Sequence, residues 1–127
     1  MNYMDKACAL REDTNVHYNC CQSVLIPFAE QLGLSEEQAA ALGAHFGSGM
    51  RYGCTCGALT GALMAAGLLG KDAATTNELI CRFREQNGYT DCRDLLEAAA
   101  DRGQPKKDNC DDLVYQCVRA LEALLQE

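Results

Sequence analysis

The residues of this chain best suited to chemistry are its cysteines, which number nine in 127 residues. Cysteine thiolates hold soft metal ions and iron–sulfur clusters, and they also attack disulfides. Secreted domains stapled by disulfides usually carry an even number of cysteines, and the charged N-terminal segment does not have the pattern of a signal peptide. We therefore expect a cytoplasmic protein, in which this cysteine density indicates metal binding or thiol chemistry.

Four of the cysteines lie at predicted helix starts: Cys56, Cys92 and Cys110 in the first turn, and Cys20 near the start of its helix. A helix N-terminus carries about half a positive charge and free backbone N–H groups, and both favour a thiolate over a thiol. Four helix starts can meet at one point in a small bundle. The sequence therefore predicts that these four sulfur atoms converge on one centre.

Three further cysteines, Cys8, Cys81 and Cys117, lie inside predicted helices. A free cysteine in such a position usually fills the core as a small apolar side chain. Cys81 and Cys117 have apolar neighbours on their helices, so we expect both to be buried and to stay away from any metal.

Cys21 adjoins Cys20, and Cys54 is separated from Cys56 by one residue. These two cysteines have two interpretations: auxiliary ligands or resolving thiols beside the first four, or neighbouring thiols without a task. No pair of cysteines has the C-x-x-C spacing of zinc ribbons and thioredoxin-type motifs.

The elements that must position these residues are helical, because strong helix formers dominate the chain and β-branched residues are sparse. We predict one all-α domain over residues 1–127, a compact bundle of five to seven helices. Its helices are predicted at residues 3–11, 18–32 with a kink at Pro27, 35–44, 56–69, from Asp72 or Thr75 to 86, 91–100 and from Asp108 or Asn109 to 125. Arg102 to Asp108 is predicted as a polar loop.

Glycines surround the second of the four cysteines. A glycine-rich loop, FGSGMRYG at residues 46–53, precedes Cys56, and its backbone amides can approach whatever Cys56 binds. Within the following helix Gly57, Gly61 and Ala65 recur every four residues. Such a stripe of small residues lets a neighbouring backbone come close.

The charge and hydropathy of the chain exclude several function classes. The net charge of −7 argues against nucleic acid as a partner, because it repels a phosphate backbone. The most apolar stretch, residues 58–69, is too short to span a membrane. His17 and His45 are candidate metal ligands, although a single histidine near a helix end is more often solvated or hydrogen-bonded.

The cysteine segments resemble a known family. The segment CGALTG at residues 56–61 matches its CGAxxG element, and YNCCQSVL at 18–25, DCRDLL at 91–96 and Cys110 with Leu113 and Val114 are similar to its other cysteine segments. The family is that of the redox-active proteins named C_GCAxxG_C_C. The resemblance implies a small helical redox domain whose four family cysteines are Cys20, Cys56, Cys92 and Cys110.

The glycine-rich loop and the segment that matches the CGAxxG element predict which residues surround the bound group. Gly53, Gly57, Ala58 and Gly61 are the residues expected to contact it beside the four cysteine ligands. A similar domain forms part of the split-Soret cytochromes, where an iron–sulfur centre accompanies haem. This chain lacks the C-x-x-C-H sequence, so covalent haem is not expected.

We therefore expect an iron–sulfur cluster, of the 2Fe-2S or 4Fe-4S type, on Cys20, Cys56, Cys92 and Cys110, for electron transfer or redox sensing with a redox partner protein. One alternative is thiol–disulfide exchange without a metal, with Cys20, Cys21, Cys54 or Cys56 as the reacting thiols. Another alternative is that the same four sulfurs bind zinc or another soft metal. The sequence leaves open whether the chain forms a homodimer.

Overall fold

Seven α-helices form most of the structure, a computed structural model that describes residues 2–126. The helices are α1 (Tyr3–Glu12), α2 (Cys20–Leu25), α3 (Glu36–Gly43), α4 (Gly57–Leu68), α5 (Ala73–Asn87), α6 (Cys92–Asp101) and α7 (Lys106–Leu125). Within the described residues the extended pairing is limited to one isolated bridge, between Thr55 and Asp91. The prediction of an all-α fold with five to seven helices is confirmed.

Local capping sequences determine where several helices begin. Asn19 and Ser35 each form a capping box with a glutamine three residues later, at the starts of α2 and α3. Asp72 accepts a hydrogen bond from the backbone N–H of Thr75 at the start of α5. The capping box predicted at Ser35 is confirmed, and of the two starts predicted for α5, Asp72 and Thr75, the structure has the cap at Asp72.

The helix predicted over residues 18–32 is shorter than expected. Its regular part ends at Leu25, and a 3-10 turn, Ile26–Phe28, follows around Pro27. Proline lacks a backbone N–H and clashes with the preceding turn, so the kink predicted at Pro27 is a termination of the α-helix. Gly33 adopts the left-handed φ of +75° expected where the chain leaves the segment.

The last helix begins earlier than predicted. It starts at Lys106 directly after Pro105, and neither Asp108 nor Asn109 caps it. Proline is favoured at a helix start because its φ is already fixed near the helical value. As a consequence, Cys110 lies in the second turn of α7, and the sequence-based expectation that it lies in the first turn is wrong.

The centre of the bundle is formed by α4, which packs against α2 and α7. A Cβ on Gly61 would lie 3.0 Å from the Cys21 carbonyl oxygen and 3.2 Å from Cβ of Val24. A Cβ on Gly57 would lie 2.8 Å from the Phe46 carbonyl oxygen. The stripe of small residues therefore provides the close backbone approach that the sequence predicts.

The two helix-interior cysteines predicted to lie in the core differ in their burial. Cys117 on α7 is buried, as predicted, whereas Cys81 on α5 is exposed. The buried residues of α5 are Leu79 and Phe83. Cys81 is two residues from each of them, which places it about 200° around the helix, on the opposite face. The prediction that Cys81 is buried is wrong for that reason.

No helix within residues 2–126 is both long and apolar enough to cross a membrane.

Candidate functional site

The four cysteines at predicted helix starts line a single cavity of about 380 Å³. They come from four different helices or their caps. Cys20 is the first residue of α2, Cys56 is the N-cap of α4, Cys92 is the first residue of α6, and Cys110 lies in α7. The fold thus brings together thiols that are up to 90 residues apart in sequence.

A short backbone pairing places Cys56 beside Cys92. The N–H of Cys56 donates to the Thr90 carbonyl at 2.8 Å, and the N–H of Cys92 donates to the Cys54 carbonyl at 2.6 Å. These bonds flank the isolated bridge and fix the N-termini of α4 and α6 next to each other. No local sequence pattern predicts the pairing, because the two segments are far apart in the chain.

The cap of α4 directs backbone N–H groups at the Cys56 sulfur. Burial raises the pKa of Cys56 to about 11, although the N–H groups of Leu59 and Ala58 donate to the sulfur and act in the opposite direction. Free N–H groups at a helix start can stabilise an anionic sulfur that a metal has deprotonated. Ala58 therefore contributes to the site through its backbone.

Cys20 and Cys110 form an interacting pair on the other side of the cavity. The Cys20 thiol donates to Cys110, which raises the pKa of Cys20 and lowers that of Cys110. The cations Arg11 and Lys106 also lower the pKa of Cys110. In the metal-free protein, Cys110 is consequently the member of the pair that carries the thiolate.

Arg11 is a buried cation of the site that the sequence did not reveal. Its side chain is 8% exposed, and its Nε lies 2.7 Å from an Asp111 carboxylate oxygen. Its Nη1 donates to the Tyr18 carbonyl at 3.0 Å, and Lys107 also pairs with Asp111. Arg11 thereby joins α1 to α7 beside Cys20 and Cys110, a contact that spans 100 residues of sequence.

The glycine-rich loop passes close to Cys92. Four successive residues, Ser48 to Arg51, have left-handed φ values between +53° and +68°. A Cβ on Gly49 would lie 2.4 Å from the Cys54 carbonyl oxygen and 2.8 Å from Cβ of Cys92. Only glycine therefore fits at this position, where the loop approaches the cavity that Ser48 helps to line.

The glycines expected to contact a bound group divide into two sets. Gly57 lines the cavity. Gly61 packs instead against the backbone of Cys21, and Gly53 lies against the side chain of Arg93, where a Cβ on Gly53 would be 3.1 Å from Cβ of Arg93. Gly61 and Gly53 therefore act in packing and loop placement, outside the lining of the cavity.

The two neighbouring cysteines lie outside the cavity lining as well. Cys21 is fully buried, its sulfur is 4.0 Å from that of Met64, and burial raises its pKa to about 12. Cys54 is half-buried and contributes its carbonyl to the pairing with Cys92. The interpretation of Cys20 and Cys21 as an attacking and resolving pair does not agree with the burial of Cys21.

The two histidines also differ in position. His17 lines the cavity, whereas His45 is exposed just after α3. Within the part of the chain that the structure describes, no three His, Cys, Asp or Glu side chains are grouped closely enough to hold a single metal ion.

Comparison with known proteins gives one match. A sequence model of the family described as "Putative redox-active protein (C_GCAxxG_C_C)" matches residues 18–124, a span that contains all four cysteines of the cavity. Searches of curated proteins and of solved structures found no match.

Proposed function

Because the chain belongs to the C_GCAxxG_C_C family of redox-active proteins, we propose that it holds an iron–sulfur cluster through Cys20, Cys56, Cys92 and Cys110. The observation that carries the proposal is the convergence of these four cysteines, from four separate helices, on one cavity of about 380 Å³. Four thiolates are the usual ligand set of [2Fe–2S] and [4Fe–4S] clusters.

The surroundings of the four sulfurs suit an anionic group. Backbone N–H groups at the start of α4 point at Cys56, and the cations Arg11 and Lys106 lie beside Cys110. Opposite charge and N–H donors stabilise thiolates in a partly buried site. The residues present therefore fit a cluster with four cysteine ligands, and Arg11 would offset part of its negative charge.

A cluster bound in this cavity would supply a one-electron couple, whose potential depends on hydrogen bonds, charge and burial around the sulfurs. The chain would contribute a fixed geometry, since three of the four cysteines lie at helix starts that caps or backbone pairing hold in place. Cys56 is buried, and the half-buried Cys20, Cys92 and Cys110 would provide the more exposed side of the centre. Electron exchange with a redox partner protein, or redox sensing, is the function that such a centre supports.

A second candidate function rests on the Cys20–Cys110 pair. The lowered pKa of Cys110 makes its thiolate available near neutral pH, and Cys20 lies beside it. The Cys110 thiolate would attack a disulfide of the partner, releasing one partner thiolate. Cys20, after losing its proton, would then attack the mixed disulfide, giving a Cys20–Cys110 disulfide and a second partner thiolate. This pairing differs from the ones that the sequence suggested.

Anaerobic purification of the wild type and of single Cys→Ser variants tests the proposal. We expect brown protein with iron and acid-labile sulfide, and a large loss of both in Cys20→Ser, Cys56→Ser, Cys92→Ser and Cys110→Ser. The exposed Cys81 provides the matched control, so Cys81→Ser should keep its full iron and sulfide content.

The outcomes separate the two candidates and the zinc alternative. Colourless protein without metal, in which one disulfide forms between Cys20 and Cys110 on oxidation, would support the dithiol couple and contradict the cluster. Colourless protein with stoichiometric zinc would contradict both.

A further inference from the structure

Asn109 is a buried polar residue whose amide nitrogen is unsatisfied. Its side chain is 3% exposed and lines the cavity, and its Nδ2 has no hydrogen-bond partner among the residues that the structure describes. Burying an amide donor without a partner is costly, so such groups in folded proteins usually meet a ligand or another acceptor. Because Asn109 lines the cavity, we expect the acceptor for its amide nitrogen to belong to the group that the cavity binds.

Arg102 fixes the orientation of this amide. Its Nη2 donates to Oδ1 of Asn109 at 3.1 Å, and its Nε donates to Oε1 of Gln104 at 2.9 Å. Gln104 in turn donates to Asp112 at 2.9 Å. A guanidinium can only donate, so the amide oxygen of Asn109 must face Arg102, and the NH2 group must occupy the other position.

Asn109 is one of two asparagines among the described residues that line the cavity. The other asparagine in the cavity lining, Asn19, differs, because its NH2 group already donates to the carbonyls of Gly43 and Ala44. Asn109 is therefore the cavity asparagine whose NH2 group is available to a sulfur.

We propose that the side-chain NH2 of Asn109 donates an N–H···S hydrogen bond to a sulfur of the loaded centre and raises the reduction potential of that centre. This inference rests on the proposed function. The reduced centre carries one more negative charge than the oxidised centre, so a donor to its sulfur stabilises the reduced state more. Asn109 is thus a positioning and potential-setting residue, and Arg102 holds it in the donating orientation.

The test compares the potential of the wild-type centre with that of Asn109→Leu, which keeps the number and branching of the side-chain heavy atoms and removes the donor. We expect the ratio of reduced to oxidised centre, at a fixed solution potential, to fall at least tenfold, which is 59 mV for one electron. Arg102→Leu leaves the amide in place but frees it to rotate, so it should shift the potential less and in the same direction. Asn87→Leu, which removes a half-buried amide outside the cavity lining, should leave the potential unchanged.

A second measurement on the metal-free protein separates this role from a structural one. Removing Nδ2 loses no hydrogen bond there, and removing Oδ1 loses the bond from Arg102. Asn109→Leu should therefore melt no lower than Arg102→Leu, which loses the same bond. An unchanged potential in Asn109→Leu, or in Arg102→Leu if the first variant does not fold, would overturn the inference while leaving the cluster proposal intact. A lower melting temperature together with an unchanged potential would assign Asn109 a packing role. Wild-type protein that takes up no iron or sulfide would overturn the inference and the proposed function together.

Discussion

Replacing Gly61 by alanine changes the packing of α4 against α2. The added Cβ would lie 3.0 Å from the carbonyl oxygen of Cys21 and 3.2 Å from Cβ of Val24. One of these atoms belongs to the backbone, and both are fixed in a buried helix, so neither can move aside without shifting α2. Overpacking of this kind costs about 1–3 kcal/mol.

Helix propensity acts in the opposite direction. Alanine is favoured over glycine inside a helix by about 1 kcal/mol. The expected net effect of Gly61→Ala is therefore a loss of up to about 2 kcal/mol of unfolding free energy, the overpacking cost less the propensity gain. For a chain of this size, each kcal/mol lowers the melting temperature by roughly 3–6 °C.

Gly67 provides a matched control in the same helix. It is exposed, and a Cβ there would meet nothing within 4 Å. Gly67→Ala should therefore stabilise the protein by up to about 1 kcal/mol. Thermal unfolding of the reduced, metal-free variants, followed by far-ultraviolet circular dichroism, measures both effects. A Gly61→Ala variant as stable as Gly67→Ala would refute the argument that α4 and α2 touch through their backbones.

Three further changes test other parts of the structure. Cys117→Ala should destabilise the protein by about 1 kcal/mol because it removes a buried side-chain atom, whereas Cys81→Ala on the exposed face should change the unfolding free energy by less than about 0.5 kcal/mol. Urea unfolding measures both changes, and equal losses would contradict the assignment of Cys117 to a buried face and Cys81 to an exposed one. In the reduced, metal-free protein, the alkylation rate of Cys110 should have its pH midpoint near 6, well below that of an ordinary thiol, because the thiolate is the reactive form and the folded protein lowers the pKa of Cys110 to about 6. Peptide mapping after labelling over a pH series measures this midpoint, and a value near 9 would refute the pairing with Cys20. Arg11→Met should move that midpoint to higher pH, since it removes a cation that favours the thiolate, and a midpoint that stays in place would show that Arg11 does not act on the sulfur.

The features of the fold that follow from short-range signals could be predicted from the sequence. The capping box at Ser35, the cap at Asp72 and the left-handed glycine at Gly33 each depend on residues within a few positions, so helix starts and ends were accessible. The early start of α7 was missed because Pro105 was interpreted as part of a loop and not as a helix start. That error also misplaced Cys110 by one turn.

Features that depend on long-range packing could not be read from the sequence. The exposure of Cys81 depends on which side of α5 meets the bundle, and the apolar residues near it are compatible with more than one face. The ion pair of Arg11 with Asp111 and the pairing beside Cys56 and Cys92 join segments that are distant in the chain. The four cysteines could be selected because each is near a helix start, but the cations and the asparagine around them could not.

The measurement that tests the central claim most directly is iron X-ray absorption spectroscopy on the anaerobically purified protein. A cluster held by four cysteines predicts a first shell made only of sulfur, at about 2.3 Å as for other metal–thiolate bonds, together with scattering from a neighbouring iron. The Cys92→Ser variant should lose this signal, and Cys81→Ser should retain it. Iron with oxygen or nitrogen neighbours, iron without a second iron nearby, or protein that contains no iron would contradict an iron–sulfur cluster on Cys20, Cys56, Cys92 and Cys110.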